Sequence, residues 1–599
     1  MPNTLRPIPP GRVSLRSSIF QQRAEVNRRY LLSMRSENLL QNYYLEAGLW
    51  HPPGKPEECH WGWESPTCQL RGHFLGHWLS AGARMAAYRS DLEIKARADW
   101  IVSELGRCQR ENGGEWAGSI PPRYFDWLSQ GKPVWAPHYT VHKTLMGLYE
   151  MALFTGSEQA LEILLKWAHW FQRWTSGHTP EEMDAILDVE TGGMMELWAD
   201  LYALTGRDEY LEMMARYERR RFFESLLTGE DALTNQHANT CIPEIHGAAR
   251  AWEVTGKLRW RQIVEAFWRC AVTDRAAFCT GGQTDGELWT PPGELASRLS
   301  LKNQEHCTVY NLLRLAEYLY RWTGNPLYAD YWERNLYNGT LAQQHPDTGM
   351  VAYFLPMKAG SVKRWSTPTE TFSCCLGTLV QAHTLYESSI FYQDGEGLVI
   401  SQIIPAELQW ELNGEKVSVL LDVVKPLTDP HSPRSLAFTL AVACEHPLEF
   451  SVKIRLPWWL AGQPVVRIAG QPLEAQGSPS TFLSICRTWR DREVVYVEFP
   501  KRLTPCPLPD APEMVAFMDG PVVLAGLSDE EFIFAGDMES WESVLTPVHE
   551  LEWYQWRQGY RTRVPPYGTR FIPLYNVRDE RYTLYFRFSQ APSSPGYTH

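Results

Sequence analysis

The pair Thr-Gly recurs at Thr155-Gly156, Thr205-Gly206, Thr255-Gly256 and Thr323-Gly324, and this recurrence limits the fold more than any other feature of the chain. Glycine just past a helix end supplies the left-handed C-cap. A new amphipathic run follows each pair, as in Leu161, Leu164, Leu165 and Ala168. The intervals are 50, 50 and 68 residues. Two helices per fifty residues predict stacked helical hairpins from about residue 20 to about residue 390, as an open solenoid or a closed α/α barrel. The stretch Gly281-Gly282-Gln283-Thr284-Asp285-Gly286-Glu287 through Pro291-Pro292-Gly293 accounts for the longer interval. Its Gly and Pro content reads as a loop inserted on one face, and insertions in repeat arrays collect on the functional face.

After Tyr392 the pattern changes to short alternating or apolar runs: Leu398–Ile404, Val417–Val423, Leu436–Ala443, Leu448–Leu456 and Val494–Phe499. These read as strands, separated by turn clusters such as Asn413-Gly414 and Asp429-Pro430, and predict an antiparallel sandwich. A further β-rich segment runs from Met514 through Val522-Val523-Leu524 to Tyr582–Phe588. The expected architecture is therefore α + β and multidomain: an α/α barrel over 1–392, a β-sandwich over 393–505 and a second small β-rich domain over 506–599. The tail from Gln590, rich in Ser and Pro, is expected to be disordered.

Composition narrows the function. The net charge of −13 comes with no long basic run, so the electrostatic footprint of a nucleic-acid binder is missing. Twenty-six Trp residues suit stacking against sugar faces, although large helical cores also consume Trp. No stretch reaches transmembrane length, and Met1 to Phe20 has no apolar run fit for a signal-peptide core. Twelve Cys at irregular positions do not form a secreted disulfide framework. A cytoplasmic protein without membrane or nucleic-acid partners is expected.

Glu305, Cys307, Cys374 and Cys375 form two short pairs about seventy residues apart. Thiolate and carboxylate are ligands that Zn²⁺ accepts in four-coordinate geometry, but the spacing matches no zinc finger. Four unremarkable buried side chains are the alternative. Val309, Leu312, Leu313 and Ala316 continue at helical spacing after Cys307, and Cys374-Cys375 precedes the apolar run Leu379 to Leu385. Both pairs thus fall at helix starts, at one end of the expected barrel. Three thiolates and a carboxylate leave a zinc no open position, as in a structural site. Metal and helix N-terminus also keep sulfur deprotonated, so one thiolate is a candidate nucleophile.

The segments Gln304-Glu305-His306-Cys307-Thr308-Val309-Tyr310-Asn311, Glu333-Arg334-Asn335-Leu336-Tyr337-Asn338 and Phe372-Ser373-Cys374-Cys375-Leu376-Gly377-Thr378 resemble the β-L-arabinofuranosidase group of glycoside hydrolase family 127 and its relatives. Gly72-His73-Phe74-Leu75-Gly76-His77-Trp78-Leu79-Ser80-Ala81, His142-Lys143, Gly192-Gly193-Met194-Met195-Glu196 and His237-Ala238-Asn239-Thr240 are similar to further motifs of that group, in the same order. The resemblance spans roughly residues 30 to 525. It implies an (α/α)₆ barrel with appended β-sandwich domains and a Zn²⁺ bound by Glu305, Cys307, Cys374 and Cys375. Cys374 would be the nucleophile and Glu287 the acid/base, with Glu294 its nearby competitor. His77, His142, His237, Glu333 and Tyr353 match sugar-contacting positions, whereas His306 is not promoted.

The expected activity is that of a retaining exo-glycosidase acting on terminal β-L-arabinofuranosyl or closely related residues of a small oligosaccharide or glycoside, with a homodimer as one possible assembly. Two readings compete with it. A helical-barrel sugar epimerase or unsaturated-uronyl hydrolase would rely on His or Asp chemistry rather than thiols. A non-catalytic carbohydrate-binding protein would keep zinc for structure alone.

Overall fold

The computed structural model describes residues 4–49, 59–428, 434–535, 541–548, 551–552, 555–556 and 559–589. The expected turn at Asp429-Pro430 and the tail from Gln590 lie outside the described residues. Twelve helices alternate between an outer and an inner ring. In chain order they are α1 (Ile19–Ser33), α2 (His73–Arg89), α3 (Leu92–Glu111), α4 (Pro137–Thr155), α5 (Glu158–Ser176), α6 (Met194–Thr205), α7 (Glu209–Arg216), α8 (Ala238–Thr255), α9 (Leu258–Trp268), α10 (His306–Thr323), α11 (Pro326–Asn335) and α12 (Cys374–Ala382).

The even-numbered helices are the inner ring. Each packs on the next, and α12 packs back on α2, so the array closes into the (α/α)₆ barrel rather than an open solenoid. Burial separates the rings: twelve of the seventeen residues of α2 are buried, against seven of nineteen in α5. A helix apolar nearly all round belongs inside, and one with a single stripe belongs outside. On α5 the stripe is Ala160, Ile163, Leu164, Trp167, Ala168 and Phe171, while Leu161 and Leu165 are only partly buried.

All four Thr-Gly pairs end inner helices. Each Gly sits in the left-handed region, with φ between 66° and 69°. Each Thr hydroxyl donates to the carbonyl four residues back, at 2.6 to 2.7 Å. The β-branched residue thus satisfies a last-turn carbonyl while the glycine reverses the chain. At Gly156-Ser157 the next helix starts at once, because Ser157 Oγ accepts from Ala160 N at 3.3 Å. The α2 and α4 backbones approach very closely. A Cβ on Gly76 would fall 2.0 Å from the Lys143 carbonyl, so only glycine fits there.

The β half has two layers. One sheet orders Arg6–Pro7, Phe391–Gln393, Gly397–Ile400, Leu448–Leu456 and Thr481–Trp489. The other runs Gln471–Leu473, Val465–Ile468, Glu493–Pro500, Ser435–Cys444, Glu415–Val424, Ala406–Leu412 and Val13–Leu15. Pairing is antiparallel except between Gly397–Ile400 and Leu448–Leu456, which are parallel. Inward residues alternate as a two-layer sandwich requires, with Val417, Val419 and Leu421 facing the core beside Phe438, Leu440 and Val442. Strands Arg6–Pro7 and Val13–Leu15 join these sheets, so the chain before α1 pairs with the sandwich. Such short strands carry no readable alternation. A third sheet, beginning at Leu503–Leu508, has its own core around Val515, Phe517, Leu524, Phe571 and Phe586.

Arg455 fastens barrel to sandwich. Its guanidinium is buried, pairs with Asp330 and with Glu333 (3.0 Å), and donates to the Ser401 carbonyl at 2.6 Å. Removing the cation leaves two carboxylates buried against each other. Arg455→Ala is expected to cost about 3–5 kcal/mol, measured as a lowered urea midpoint of the transition that separates the domains.

Candidate active site

Because inner helices alternate with outer ones, all six inner helices begin at the same end of the barrel. A cavity of about 350 Å³ opens there, lined by residues at or near the start of every one, among them His77, Lys143, Gly193, Asn239, Cys307 and Cys374. Glu305 is the N-cap of α10 and Cys307 its second residue, while Cys374 and Cys375 are the first two residues of α12.

These four side chains converge in the floor, fully or almost fully buried. Cys307 Sγ lies 3.5 Å from Cys375 Sγ, and Cys374 Sγ lies 4.0 Å from Cys375 Sγ. Glu305 Oε1 is 3.8 Å from both Cys374 Sγ and Cys375 Sγ. Ligands about 2.3 Å from a tetrahedral Zn²⁺ stand about 3.8 Å apart, so the set fits such an ion. A second layer orients it: Thr378 Oγ1 donates to Cys307 Sγ (3.4 Å) and Thr308 Oγ1 to Glu305 Oε2 (3.3 Å).

Four acids packed this tightly do not all ionise without a cation. Hydrogen bonds from Cys307 and Cys375 hold the Cys374 thiol well below its usual range. Burial pushes Glu305, Cys307 and Cys375 well above theirs. Cys374 also stands at a helix N-terminus, whose free N–H groups and dipole favour a thiolate. Lys143 lines the same cavity, its ammonium 4.9 Å from the centre of the Tyr139 ring, and burial lowers its pKa to about 8.

The expected inserted loop forms a hairpin of Thr284–Asp285 and Leu288–Trp289. Gly286 and Glu287 are its two turn residues, with φ of 60° and 71°. A two-residue hairpin of this kind needs positive φ at both positions, which a non-glycine residue adopts at a cost of about 1–2 kcal/mol. Glu287 thus occupies a strained backbone position, and its carbonyl accepts from Ala238 N, at the start of α8 (2.8 Å). Its carboxylate takes a short hydrogen bond from the Tyr353 hydroxyl and lies 3.6 Å from His237 Nε2. His237 first, then Tyr353, holds it below the usual carboxylate range against the opposing effect of burial. Tyr353 Oη is also 3.4 Å from Cys374 Sγ. One hydroxyl therefore touches both Cys374 and Glu287.

His77 Nδ1 is 2.6 Å from Gln381 Oε1, and its buried Nε2 has no hydrogen-bond partner among the described residues. A Cβ on Gly377 would fall 2.2 Å from the His77 ring, so glycine there lets α12 seat the imidazole beside Cys374.

Other expected residues lie elsewhere. His142 is outside the cavity lining, its ring packed beneath Gly193, 2.5 Å from where a Cβ there would stand. Its neighbour Lys143 takes the cavity, because Tyr139 and Lys143, four apart, share one helix face. Glu333 lies at the barrel–sandwich joint, its carboxylate engaged by Arg455 and by Trp459 Nε1 (2.9 Å). Glu294 is exposed and does not line the cavity. Asn239 and Asn311, hydrogen-bonded at 2.7 Å, line it without having been singled out from the sequence. The i, i+4 spacing was the available signal for Tyr139 and Lys143. Asparagines on separate helices gave none.

Residues 12–388 match the family model described as the β-L-arabinofuranosidase GH127 catalytic domain, and residues 397–501 match its middle domain. A non-reducing end β-L-arabinofuranosidase of Bifidobacterium longum subsp. longum is 25% identical over 308 residues, which is 44% of this chain and 45% of that relative. The chain thus spans under half the length of that relative. A GH127 β-L-arabinofuranosidase from Geobacillus stearothermophilus T6 shares the fold with a TM-score of 0.75 at 17% identity, over 96% of this chain and 100% of that one. A second solved structure, of a GH127 β-arabinofuranosidase, gives 0.73 at 17% identity, over 98% and 99%. With more than half of its length matched by the catalytic-domain model, the chain belongs to glycoside hydrolase family 127.

Proposed function

We propose that the protein is a retaining exo-glycosidase that removes a terminal β-L-arabinofuranosyl residue, or a closely related furanosyl or deoxy sugar, from a small oligosaccharide or glycoside. One observation carries this reading: Cys374 Sγ and the Glu287 carboxylate meet across the single hydroxyl of Tyr353. That is the close spacing of a retaining pair, with no room between the two groups for the water that inversion requires.

In the first step the Cys374 thiolate attacks the anomeric carbon. A C–S bond forms, the glycosidic C–O bond breaks, and Glu287 gives its proton to the leaving oxygen. In the second step the Glu287 carboxylate takes a proton from water, whose oxygen attacks the same carbon and releases Cys374. Two inversions leave the configuration unchanged. The low Glu287 pKa suits the second step. A bound sugar favours the acid form needed first, since it strips water from a carboxyl group that burial already pushes upward. Zn²⁺ held by Glu305, Cys307, Cys374 and Cys375 would supply the positive charge that keeps this cluster ionised.

His77 Nε2, His237 and Lys143 are the proposed partners for the hydroxyls of the terminal sugar. A reducing compartment such as the cytoplasm is proposed because all twelve cysteines are unpaired thiols. An epimerase or uronyl hydrolase would leave the thiol pair at the cavity floor without a chemical task.

Metal analysis is expected to find about one zinc per chain, lost in Cys307→Ala. Cys374→Ser should lower turnover of an aryl β-L-arabinofuranoside at least about a thousandfold, and unchanged turnover would sink the thiolate mechanism. Glu287→Gly relieves the backbone cost at φ 71° while removing the acid/base. Its melting temperature is expected to stay level or rise as turnover disappears; retained turnover would exclude Glu287 as the acid/base.

A further inference from the structure

The cavity has a polar floor and a partly apolar mouth. Cys307 and Glu305 are fully buried in the floor, whereas Trp135, which lines the same cavity, is 50% exposed. Trp63 lies beside it, with ring centroids 5.2 Å apart in an edge-to-face arrangement. Leu70 and Ala136 complete this wall. The wall is built in. Trp135 N donates to Gln69 Oε1 at 2.7 Å, tying the two loops together, and Trp63 rests 5.8 Å from the His73 ring. Ala136, the residue between Trp135 and α4, is held at φ 47°, a left-handed conformation that alanine rarely adopts.

A half-exposed tryptophan on a catalytic cavity presents a flat apolar face with no task in the chemistry above. The terminal sugar must reach Cys374 in the floor, so whatever it is attached to must occupy the mouth. Glu287, which protonates the leaving oxygen, is itself one-third exposed, at the level where that oxygen would stand. We propose that Trp63 and Trp135 form a leaving-group subsite that takes the apolar C–H face of the sugar ring next to the terminal residue. The wall makes the protein prefer a saccharide over a small alkyl group as leaving group. This rests on the glycosidase reading and extends it to the second sugar.

The test compares kcat/KM for a β-linked L-arabinofuranosyl disaccharide with that for methyl β-L-arabinofuranoside, in the wild type, Trp135→Ala, Trp135→Phe, Trp63→Ala and Trp61→Ala. Trp61 is exposed and does not line the cavity, so its variant should keep the wild-type ratio. The ratio is expected to fall about tenfold in Trp135→Ala and to recover in Trp135→Phe, which keeps an aromatic face at this exposed position. Titration of Cys374→Ser with the disaccharide, followed by tryptophan fluorescence, should show a quench that Trp135→Ala removes. An unchanged ratio in Trp135→Ala and Trp63→Ala, or equal losses on both substrates, would overturn the subsite. Failure of the wild type to cleave either substrate would instead overturn the glycosidase reading.

Discussion

Six inner helices run in the same direction, and the rest of the molecule follows from that. A chain that alternates outer and inner helices returns to the inside always with the same polarity. Six N-termini therefore face one end of the barrel, each carrying free N–H groups and about half a positive charge. That end holds three thiols and a carboxylate at the starts of α10 and α12. Toward the opposite end, ion pairs join the inner helices to one another. Arg84 pairs with Glu150, Arg250 with Asp200 and Arg321 with Glu253, each bridging neighbouring inner helices at 2.7 to 2.8 Å.

Placing a reactive site inside such a ring needs close approach. Glycine at Gly76 lets α2 touch the α4 backbone at Lys143, and Gly377 admits the His77 ring beside Cys374. The remaining parts come from outside the ring. Glu287 arrives on a two-residue hairpin pinned to the start of α8. Tyr353 is fixed by its carbonyl, which accepts from His306 N at 3.1 Å, and by the adjoining bridge between Glu305 and Phe354. Glu305, Cys307 and the hydroxyl that touches both Cys374 and Glu287 are therefore held by adjoining backbone. Local strain at Glu287 is carried by these neighbouring contacts, as at other sites where geometry is held against preference.

Much of this was legible in the sequence, for identifiable reasons. The Thr-Gly caps marked four inner helices because both residues act locally, one on the preceding turn and one on its own φ. The cap after α2 escaped notice because Ser90 rather than glycine takes the left-handed position there. Most long strands of the sandwich showed their alternation, and Leu448–Leu456 emerges with the expected bounds, whereas the nine-residue Thr481–Trp489 was not among the expected strands. The strands Arg6–Pro7 and Val13–Leu15 are too short to show any. Among site residues, those at helix starts were readable because the position itself is chemical. His142 was misplaced because adjacent residues on a helix point about 100° apart, and motif likeness alone does not say which neighbour faces the cavity.

The sequence by itself determined the helical period, the change to strands near residue 392, and two thiol- and carboxylate-bearing helix starts, because each depends on contacts within a few residues. Only the tertiary structure decided that the array closes, that Glu333 serves the joint with the sandwich, and that Tyr353 stands between Cys374 and Glu287. Those outcomes rest on contacts between residues 21 to 304 positions apart, where side-chain direction and the packing of whole elements set the distance.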